Sequence, residues 1–387
     1  MRKICFVTGS RAEYGLLSNI MRFVAEDKNT VLQIIATNMH LSPDYGLTYR
    51  EIEADGFTIN RKVEMLLASD TANATTKSVG LATIGFADAY EDLKPDLLVV
   101  LGDRYEILSA VTAALLYKIP VAHLHGGEIT EGAYDDAIRH AITKMSHLHF
   151  TSTEIYRNRV IQMGEAPSHV FNVGAVGVDN ILSLPLMEKA ELEKSLGFSF
   201  GEKTLLITYH PVTLDATPAE DQICDLLEVL NPYLDEYKMI FTMPNSDTNG
   251  KVIKQRILEF VQKHPDRSIA FDSMGLKRYL SALKYTTAVA GNSSSGIIEV
   301  PSFGIPTLNI GDRQKGRISA DSVLHCGISK QEIKAGLKKI LSPEFKELAK
   351  NTANPYHKSG TAKAVAEKLC SFPLKDLIVK SFYDLKQ

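Results

Sequence analysis

The chain has 387 residues, a length at which two domains are more common than one. Its 43 lysine and arginine residues nearly balance its 46 aspartate and glutamate residues, which argues against a protein built mainly to grip nucleic acid or an acidic membrane surface. With 44% hydrophobic and 23% charged residues, the composition excludes gross disorder and is typical of a soluble globular protein.

The first half of the chain alternates between strand-like and helix-like patterns. Short apolar runs predict strands at residues 4–9, 31–36, 96–103, 121–125 and 148–151. In between, apolar side chains recur at helical spacing, most clearly in residues 16–24 and 107–115. Strands that are separated by helices predict right-handed crossovers and a parallel sheet.

The pattern pauses at residues 182–203, which contain Pro185 and a charged stretch and are predicted to connect two domains. Strand-like runs then resume at residues 205–209, 239–242, 268–271, 288–290 and 306–310. The sequence therefore predicts an α/β protein with two halves of similar size that face a cleft. Ligands in such folds bind at the ends of the parallel strands.

Polar side chains follow two of the predicted strands in the first half. The segment from Gly9 to Gly15 lacks the GxGxxG pattern of dinucleotide sites, and its Arg11 suits either an anion at a helix N-terminus or a plain tight turn. Asp103 directly follows an apolar strand. That position suits an N-cap of the next helix and a catalytic carboxylate equally well, so both interpretations remain open.

The densest group of polar residues lies between His123 and His140. On a strand, His123 and His125 point to one face, and the glycines that follow allow a tight turn. Glu128 and Asp135 come next, and such a concentration of imidazoles and carboxylates suggests a site, although acidic residues in a first helical turn also have a structural use. The helical spacing predicts two side-chain pairs, Asp135 with Arg139 and Asp136 with His140.

A metal site is not predicted. The His-x-His pattern is weak on its own, and no further ligands follow at a convincing spacing. The four cysteines (Cys5, Cys224, Cys326 and Cys370) are too far apart to suggest a thiolate site or a disulfide framework. No apolar run approaches the ~18 residues that span a bilayer, and the N-terminal run is too short for a signal peptide, so we expect a cytoplasmic protein.

The second half offers a lone histidine and a serine-rich turn. His210 and Asn245 each follow a predicted strand, where a lone histidine is more often structural than functional. The run Gly291-Asn292-Ser293-Ser294-Ser295-Gly296 leaves another strand and opens a helix-like segment. Successive backbone N–H groups and hydroxyls at such a turn suit a diphosphate, and Glu299 is placed one turn later to bind ribose hydroxyls.

Six segments in order resemble the hydrolysing UDP-N-acetylglucosamine 2-epimerases, from residue 9 to about residue 370. They are Gly9–Gly15, Leu101–Glu106, His125–Glu128, Asp135–His140, Gly291–Gly296 and Gly311–Arg317. The sequence most resembles the bacterial branch that supplies N-acetylmannosamine for sialic acid, so we expect UDP-N-acetylglucosamine as substrate. The alternative substrate is the UDP-activated 2,4-diacetamido-2,4,6-trideoxy-glucose of the legionaminic acid branch. The same two halves also suit a GT-B glycosyltransferase or a non-catalytic nucleotide-sugar sensor.

The resemblance implies a GT-B fold, in which two Rossmann-like domains face a cleft. Residues 1–182, completed by C-terminal helices in residues 362–387, are expected to carry the sugar chemistry, and residues 183–361 to bind UDP. The implied reaction uses no cofactor and no metal: UDP leaves C1 as the C2 proton is removed, and water then adds to the glycal. The family also implies a homodimer or homotetramer, with a UDP-sugar as partner and neither nucleic acid nor membrane.

The resemblance further implies roles for individual residues. Asp103 and Asp135 match carboxylates that act as acid or base, and His210 matches a histidine near the diphosphate. Animal-type and non-hydrolysing relatives carry a glutamate where His125 stands, so the acid and base are to be sought among His125, Glu128 and Asp135. The substrate-binding matches are Arg11, Arg104, Asn245, Ser293, Ser294, Ser295, Gly296, Glu299 and Arg313.

Overall fold

The computed structural model describes residues 1–385, which form two units, each built around a parallel β-sheet. The first unit comprises residues 1–128, residues 135–180 and the segment from Tyr356 onward. The second comprises residues 129–134 and 181–355. The predicted α/β class with two parallel sheets is therefore confirmed. The C-terminal segment 362–387 of the sequence analysis includes residues 386 and 387, which lie outside the described residues.

In the described part of the chain, the sheet of the first unit has seven strands. They are β1 (Arg2–Thr8), β2 (Thr30–Thr37), β3 (Arg61–Val63), β4 (Leu97–Leu101), β5 (Val121–Leu124), β6 (Leu148–Thr151) and β7 (Val170–Asn172). Their order across the sheet is β3-β2-β1-β4-β5-β6-β7, and neighbours are parallel. The strand order reverses direction between β1 and β4, the place where α/β sheets bind their ligands.

The sheet of the second unit has six strands within residues 1–385. They are β8 (Thr204–Thr208), β9 (Lys238–Thr242), β10 (Ser268–Phe271), β11 (Ala288–Gly291), β12 (Thr307–Ile310) and β13 (Val323–Cys326), in the order β10-β9-β8-β11-β12-β13. All neighbours are parallel. Gly291 has a φ of 134° and lies directly against the backbone of Thr208, a close approach that requires glycine.

The helices are α1 (Arg11–Glu26), α2 (Tyr49–Ala54), α3 (Ala72–Leu93), α4 (Tyr105–Leu116), α5 (Asp135–Met145), α6 (Glu154–Gln162), α7 (Val176–Ser183), α8 (Lys189–Leu196), α9 (Ala219–Leu230), α10 (Gly250–Lys263), α11 (Leu276–Leu283), α12 (Ser295–Ile298), α13 (Lys330–Ile340), α14 (Pro343–Lys350) and α15 (Thr361–Ser371). In α1, Leu17, Met21 and Val24 are buried along one face, and the Ser10 hydroxyl accepts the Glu13 N–H as an N-cap. Among residues 1–385, no helix is long and apolar enough to cross a membrane.

Alternate residues of β1 point into two cores on opposite faces of the first sheet. Ile4 and Phe6 belong to a core shared with α1 and α15, and Cys5 and Val7 belong to one shared with α3 and α4. The second sheet is covered on both faces in the same way. These buried faces explain why the central strands read as continuous apolar runs.

The last helix, α15, is part of the first unit. Its Val365 and Leu369 are fully buried in the core beneath α1. The Arg2 guanidinium donates hydrogen bonds of 2.6 and 2.8 Å to the carbonyls of Leu369 and Cys370 at the end of this helix. A cation at a helix C-terminus compensates the unpaired carbonyls there.

The ten strands predicted from apolar runs are confirmed as β1, β2, β4, β5, β6 and β8 to β12. Several boundaries differ by one or two residues, and the difference that matters for the site is in β5, which ends at Leu124 because His125 has left-handed backbone with a φ of 65°. The strands β3, β7 and β13, which the sequence analysis did not predict, lie at sheet edges.

Candidate functional site

The loops that carry the predicted carboxylates leave adjacent strands of the first sheet. Asp103 follows β4, His125 and Glu128 follow β5, and Ser152 follows β6. Because the strands are parallel, these loops emerge at the same edge of the sheet.

Arg139 on α5 connects two of these loops. Its side chain is only 1% exposed, and its Nη2 pairs with Asp103 Oδ2. Its Nη1 donates to the Glu128 carbonyl oxygen at 3.0 Å and to Asp136 Oδ1 at 3.3 Å. The buried guanidinium therefore fixes Asp103, the Glu128 backbone and the start of α5 together. Asp103 is not an N-cap, because Arg104 occupies that position of α4.

Two hydrogen bonds converge on one carboxylate oxygen of Glu128. Its side chain is 1% exposed, and its Oε1 accepts from His125 Nδ1 at 2.9 Å and from Ser152 Oγ at 2.7 Å. The Val176 N–H donates to His125 Nε2 at 3.5 Å, so the imidazole proton lies on Nδ1. His125 thus contacts the carboxylate as a donor through Nδ1, and Ser152, which the sequence analysis missed, is a second donor.

His123 has a different role from His125, and the prediction that both point to one strand face is wrong. The left-handed backbone at His125 breaks the alternation of the strand. His123 is fully buried and its Nε2–H donates to the Gly102 carbonyl at 2.7 Å. Burial lowers the pKa of His123 to about 3, so the ring is a neutral support for the Asp103 loop.

Asp135 is the first residue of α5, in agreement with the helix start predicted there, and its side chain is buried. The predicted pair of Asp136 and His140 is confirmed by a distance of 3.4 Å between Oδ2 and Nε2. Arg139 pairs with Asp103 and Asp136 across the start of this helix.

The two predicted arginines of the first unit are each bound to a glutamate. Arg11 Nε lies 2.5 Å from Glu51 Oε2, and Arg104 Nε lies 2.8 Å from Glu106 Oε1. Glu106 is fully buried and leaves no space for a side chain on Gly9, whose N–H donates to Glu13 Oε2 at 2.6 Å.

The pKa of the Glu13 carboxyl is raised to about 8, mainly because the group is buried and secondly because the charge of Glu106 lies near it. Glu13 therefore carries a proton at neutral pH, and the first turns of α1 and α4 hold a pair of buried carboxyl groups that the sequence analysis missed.

In the second unit, the side chain of Asn292 organises the loops after β8 and β11. Its Oδ1 accepts the His210 N–H at 2.7 Å, and its Nδ2 donates to the His210 carbonyl at 2.8 Å. His210 Nδ1 in turn accepts the Asn245 N–H at 3.4 Å. The structure thus brings His210 and Asn245 together, and the connecting residue is the fully buried Asn292.

Arg313 reaches the same point from the loop after β12. Its Nη1 donates to the Asn292 carbonyl at 3.3 Å, and its Nη2 lies 4.0 Å from Oδ2 of the buried Asp247. The predicted residues Ser293, Ser294, Ser295, Gly296 and Glu299 follow Asn292 through the single-turn helix α12, whose N-cap is Ser294 and whose C-cap is Glu299.

Residues 129–134, which join Glu128 to Asp135, are held by loops of the second unit. The Tyr134 N–H donates to Thr213 Oγ1 at 3.1 Å, and the Glu131 N–H donates to the Lys315 carbonyl at 3.1 Å. The chain thus leaves the first unit directly after Glu128 and returns to it at Asp135.

Among the described residues, no group of three or more His, Cys, Asp or Glu side chains has the arrangement of a metal site.

Comparison with known proteins gives a consistent picture. The model of the family UDP-N-acetylglucosamine 2-epimerase matches residues 22–370. The chain is 46% identical over 346 residues to the GDP/UDP-N,N'-diacetylbacillosamine 2-epimerase (hydrolyzing) of Campylobacter jejuni, with 89% of each chain covered. It is 38% identical over 388 residues to the polysialic acid biosynthesis protein P7 of Escherichia coli, with 100% of this chain and 98% of that protein covered.

Among solved structures, the fold is similar to that of UDP-GlcNAc 2-epimerase from Neisseria meningitidis bound to UDP-GlcNAc. The TM-score is 0.79 at 19% sequence identity, and the match covers 95% of this chain and 99% of that one. The likeness confirms the predicted GT-B-like fold.

Proposed function

The chain belongs to the UDP-N-acetylglucosamine 2-epimerase family, and on that basis we propose that it is a hydrolysing 2-epimerase of a nucleotide-activated 2-acetamido sugar. It releases the nucleoside diphosphate and a free sugar inverted at C2. The observation that carries the proposal is the Arg139-centred arrangement at the ends of β4 and β5, which fixes Asp103 beside the Glu128 loop and the start of α5.

The proposed substrate is UDP-activated 2,4-diacetamido-2,4,6-trideoxy-glucose. The 46% identity to the Campylobacter jejuni enzyme supports this choice over UDP-N-acetylglucosamine, which the sequence analysis put first. UDP-N-acetylglucosamine stays the second candidate, because the Escherichia coli polysialic acid protein matches over the whole chain. The free sugar is proposed to serve as a precursor of legionaminic acid or, for the second candidate, of sialic acid.

The chemistry requires departure of the nucleotide to lead, because the C2–H bond is not acidic and the anomeric carbon becomes cationic as its bond to oxygen breaks. The Asp103 carboxylate, held by Arg139, stabilises this positive charge. A carboxylate then accepts the C2 proton, which forms the C1–C2 double bond of a glycal. Water adds its oxygen to C1, and a proton is delivered to C2 from the opposite face.

Glu128 and Asp135 are the proposed proton carriers, since both are carboxylates adjacent to the Arg139 arrangement. The His125 ring nitrogens are bonded to Glu128 and to the Val176 N–H. We therefore assign His125 the role of holding Glu128. In the second unit, the nucleotide is proposed to bind through His210, Asn245, Ser293, Ser294, Ser295, Gly296, Glu299 and Arg313, while Arg11 and Arg104 of the first unit bind phosphate or sugar.

The test is product analysis by NMR in deuterated water with both sugar nucleotides, without added nicotinamide or metal. We expect free nucleoside diphosphate, a free sugar inverted at C2 and deuterium at C2. A product that keeps its nucleotide would identify a non-hydrolysing epimerase, and a requirement for an acceptor without C2 exchange would identify a glycosyltransferase.

Asp103→Asn removes the charge but keeps the shape, so kcat should fall at least about 100-fold while UDP still binds. The matched control is Asp96→Asn at the opposite end of β4, where the carboxylate accepts the Lys3 N–H at the surface. Equal activities of the two variants would contradict the role of Asp103, and no turnover of either nucleotide by the unaltered enzyme would contradict the proposed function.

A further inference from the structure

The side chain of Ser152 is aimed at Glu128 from a neighbouring strand. Ser152 directly follows β6, is 2% exposed and donates its hydroxyl to Glu128 Oε1 at 2.7 Å. A hydroxyl-to-carboxylate bond of this length is charge-assisted and about twice as strong as a neutral one. The two residues are 24 positions apart, so the contact depends on the pairing of β5 with β6.

The position of Ser152 is itself well fixed. The preceding residue ends β6, and the following residue, Thr153, is the N-cap of α6, with its hydroxyl accepting the Tyr156 N–H at 3.3 Å. The serine therefore lies in a short turn between a buried strand and a capped helix, and its hydroxyl is presented by a rigid support.

We infer that Ser152 is a positioning residue for Glu128 in the reaction, an assignment that rests on the proposed function. Its hydroxyl and His125 Nδ1 converge on the same carboxylate oxygen from two different elements. Two donors on different elements restrain the orientation of a carboxylate more tightly than one of them alone does. A displacement of about 1 Å at a reacting group costs up to about 100-fold in rate, so the second donor acts on catalysis through Glu128.

Ser152→Ala is expected to lower kcat about 10-fold and to leave KM within about 2-fold, because the hydroxyl is bonded to the proton-transfer group. Ser152→Cys keeps the size of the side chain with a weaker donor, and it should lie between the alanine variant and the unaltered enzyme. This second variant also keeps the test valid if the alanine protein fails to fold.

The matched control is Ser146→Ala, which removes an equally buried serine of the same unit. The Ser146 hydroxyl donates to the Ile142 carbonyl within α5 and its connection, at 2.7 Å, and makes no bond to a candidate catalytic group in the described hydrogen bonds. Its kcat should stay within about 2-fold of the unaltered enzyme, since only local stability is changed.

A double-mutant cycle separates positioning from general structural damage. In a Glu128→Gln background the carboxylate is already lost, so adding Ser152→Ala should lower kcat by less than about 2-fold. Full additivity, or an unchanged kcat in Ser152→Ala, would overturn the assignment while the proposed function stands. An unaltered enzyme that turns over neither sugar nucleotide would overturn the proposed function and this assignment with it.

Discussion

Replacing His123 by glutamine should make the first unit less sensitive to acid. His123 is fully buried, and its Nε2–H donates to the Gly102 carbonyl at 2.7 Å. Burial lowers its pKa to about 3, while the unfolded chain binds a proton at this position below about pH 6.5. Between these two values the unfolded chain holds more protons than the folded one. Stability is therefore lost as the pH falls from about 6.5 toward 3.

The size of this effect follows from one proton. Each pH unit in that window removes about 1.4 kcal/mol from the free energy of unfolding, so the loss at pH 5 relative to pH 7 is about 2 kcal/mol. Glutamine gains no proton and keeps an amide N–H for the Gly102 carbonyl. The free energy of unfolding of the variant therefore lacks this dependence on pH. Any cost from the different shape of glutamine is the same at every pH and does not alter the comparison. The buried His40, whose pKa burial lowers to about 4, is present in both proteins and cancels in the comparison.

Hydrogen–deuterium exchange measured by mass spectrometry on peptides that contain β4 and β5 reports the opening free energy of the first unit by itself. The difference in opening free energy between the His123→Gln variant and the unaltered protein should change by about 2 kcal/mol between pH 7 and pH 5, in favour of the variant at pH 5. Peptides from β8 and β11 provide the internal control and should show no such change. A gap of the same size at both pH values would refute the reasoning.

Other substitutions test the packing of each unit. Gly291→Ala places a methyl group against the Thr208 backbone and should destabilise the second unit by about 4 kcal/mol in urea unfolding. The control is Gly80→Ala in α3, where no atom lies within 4 Å of the added methyl group, and it should stabilise the protein by about 0.5 kcal/mol. Equal effects of the two substitutions would contradict the packing argument. Lys380→Met removes the ammonium 2.8 Å from Oε2 of the buried Glu165, which keeps the Lys144 ammonium at 2.6 Å, and should cost about 2 kcal/mol at pH 7. Burial alone raises the pKa of Glu165, but hydrogen bonds outweigh burial and lower it to about 2. The stabilisation by this carboxylate is therefore lost as the pH falls from about 4.5 toward 2, and a cost that does not shrink over this range would argue against the ion pair.

The central strands could be predicted because both of their faces are buried. In β4, for example, Leu97 to Val100 are all buried, so the strand reads as one apolar run. The edge strands β3 and β13 could not be found in this way. Arg61 and Lys62 of β3 and His325 of β13 are exposed on one side, and the remaining residues are too few to form a pattern.

The sequence predicts where the carboxylates of the candidate site lie, but it does not predict which side chains they contact. Asp103, Glu128 and Asp135 follow strands or begin a helix, which is visible in the sequence. Their partners are not visible, because Arg139 meets Asp103 across 36 residues and only the fold brings them together. Helical spacing places Asp135 and Arg139 on one face of α5, but it says nothing about partners on other elements, and their direct pairing stays a prediction.

The same limit applies to the second unit. The serine-rich turn that contains Asn292 gives no sign in the sequence that the Asn292 amide holds His210 from 82 residues away. The roles of the site residues, the cytoplasmic location and the homo-oligomer implied by the resemblance stay predictions.

The ribosome delivers the last helix of the first unit only after every residue of the second unit has been made. Until Val365 and Leu369 emerge, α1 lacks the helix that packs beside it in this core, and Arg2 lacks the carbonyls that it binds. The second unit can therefore complete its core first, whereas the core of the first unit stays incomplete until α15 is made. A stop codon before α15 is thus expected to destabilise the first unit, although all of its strands have been made.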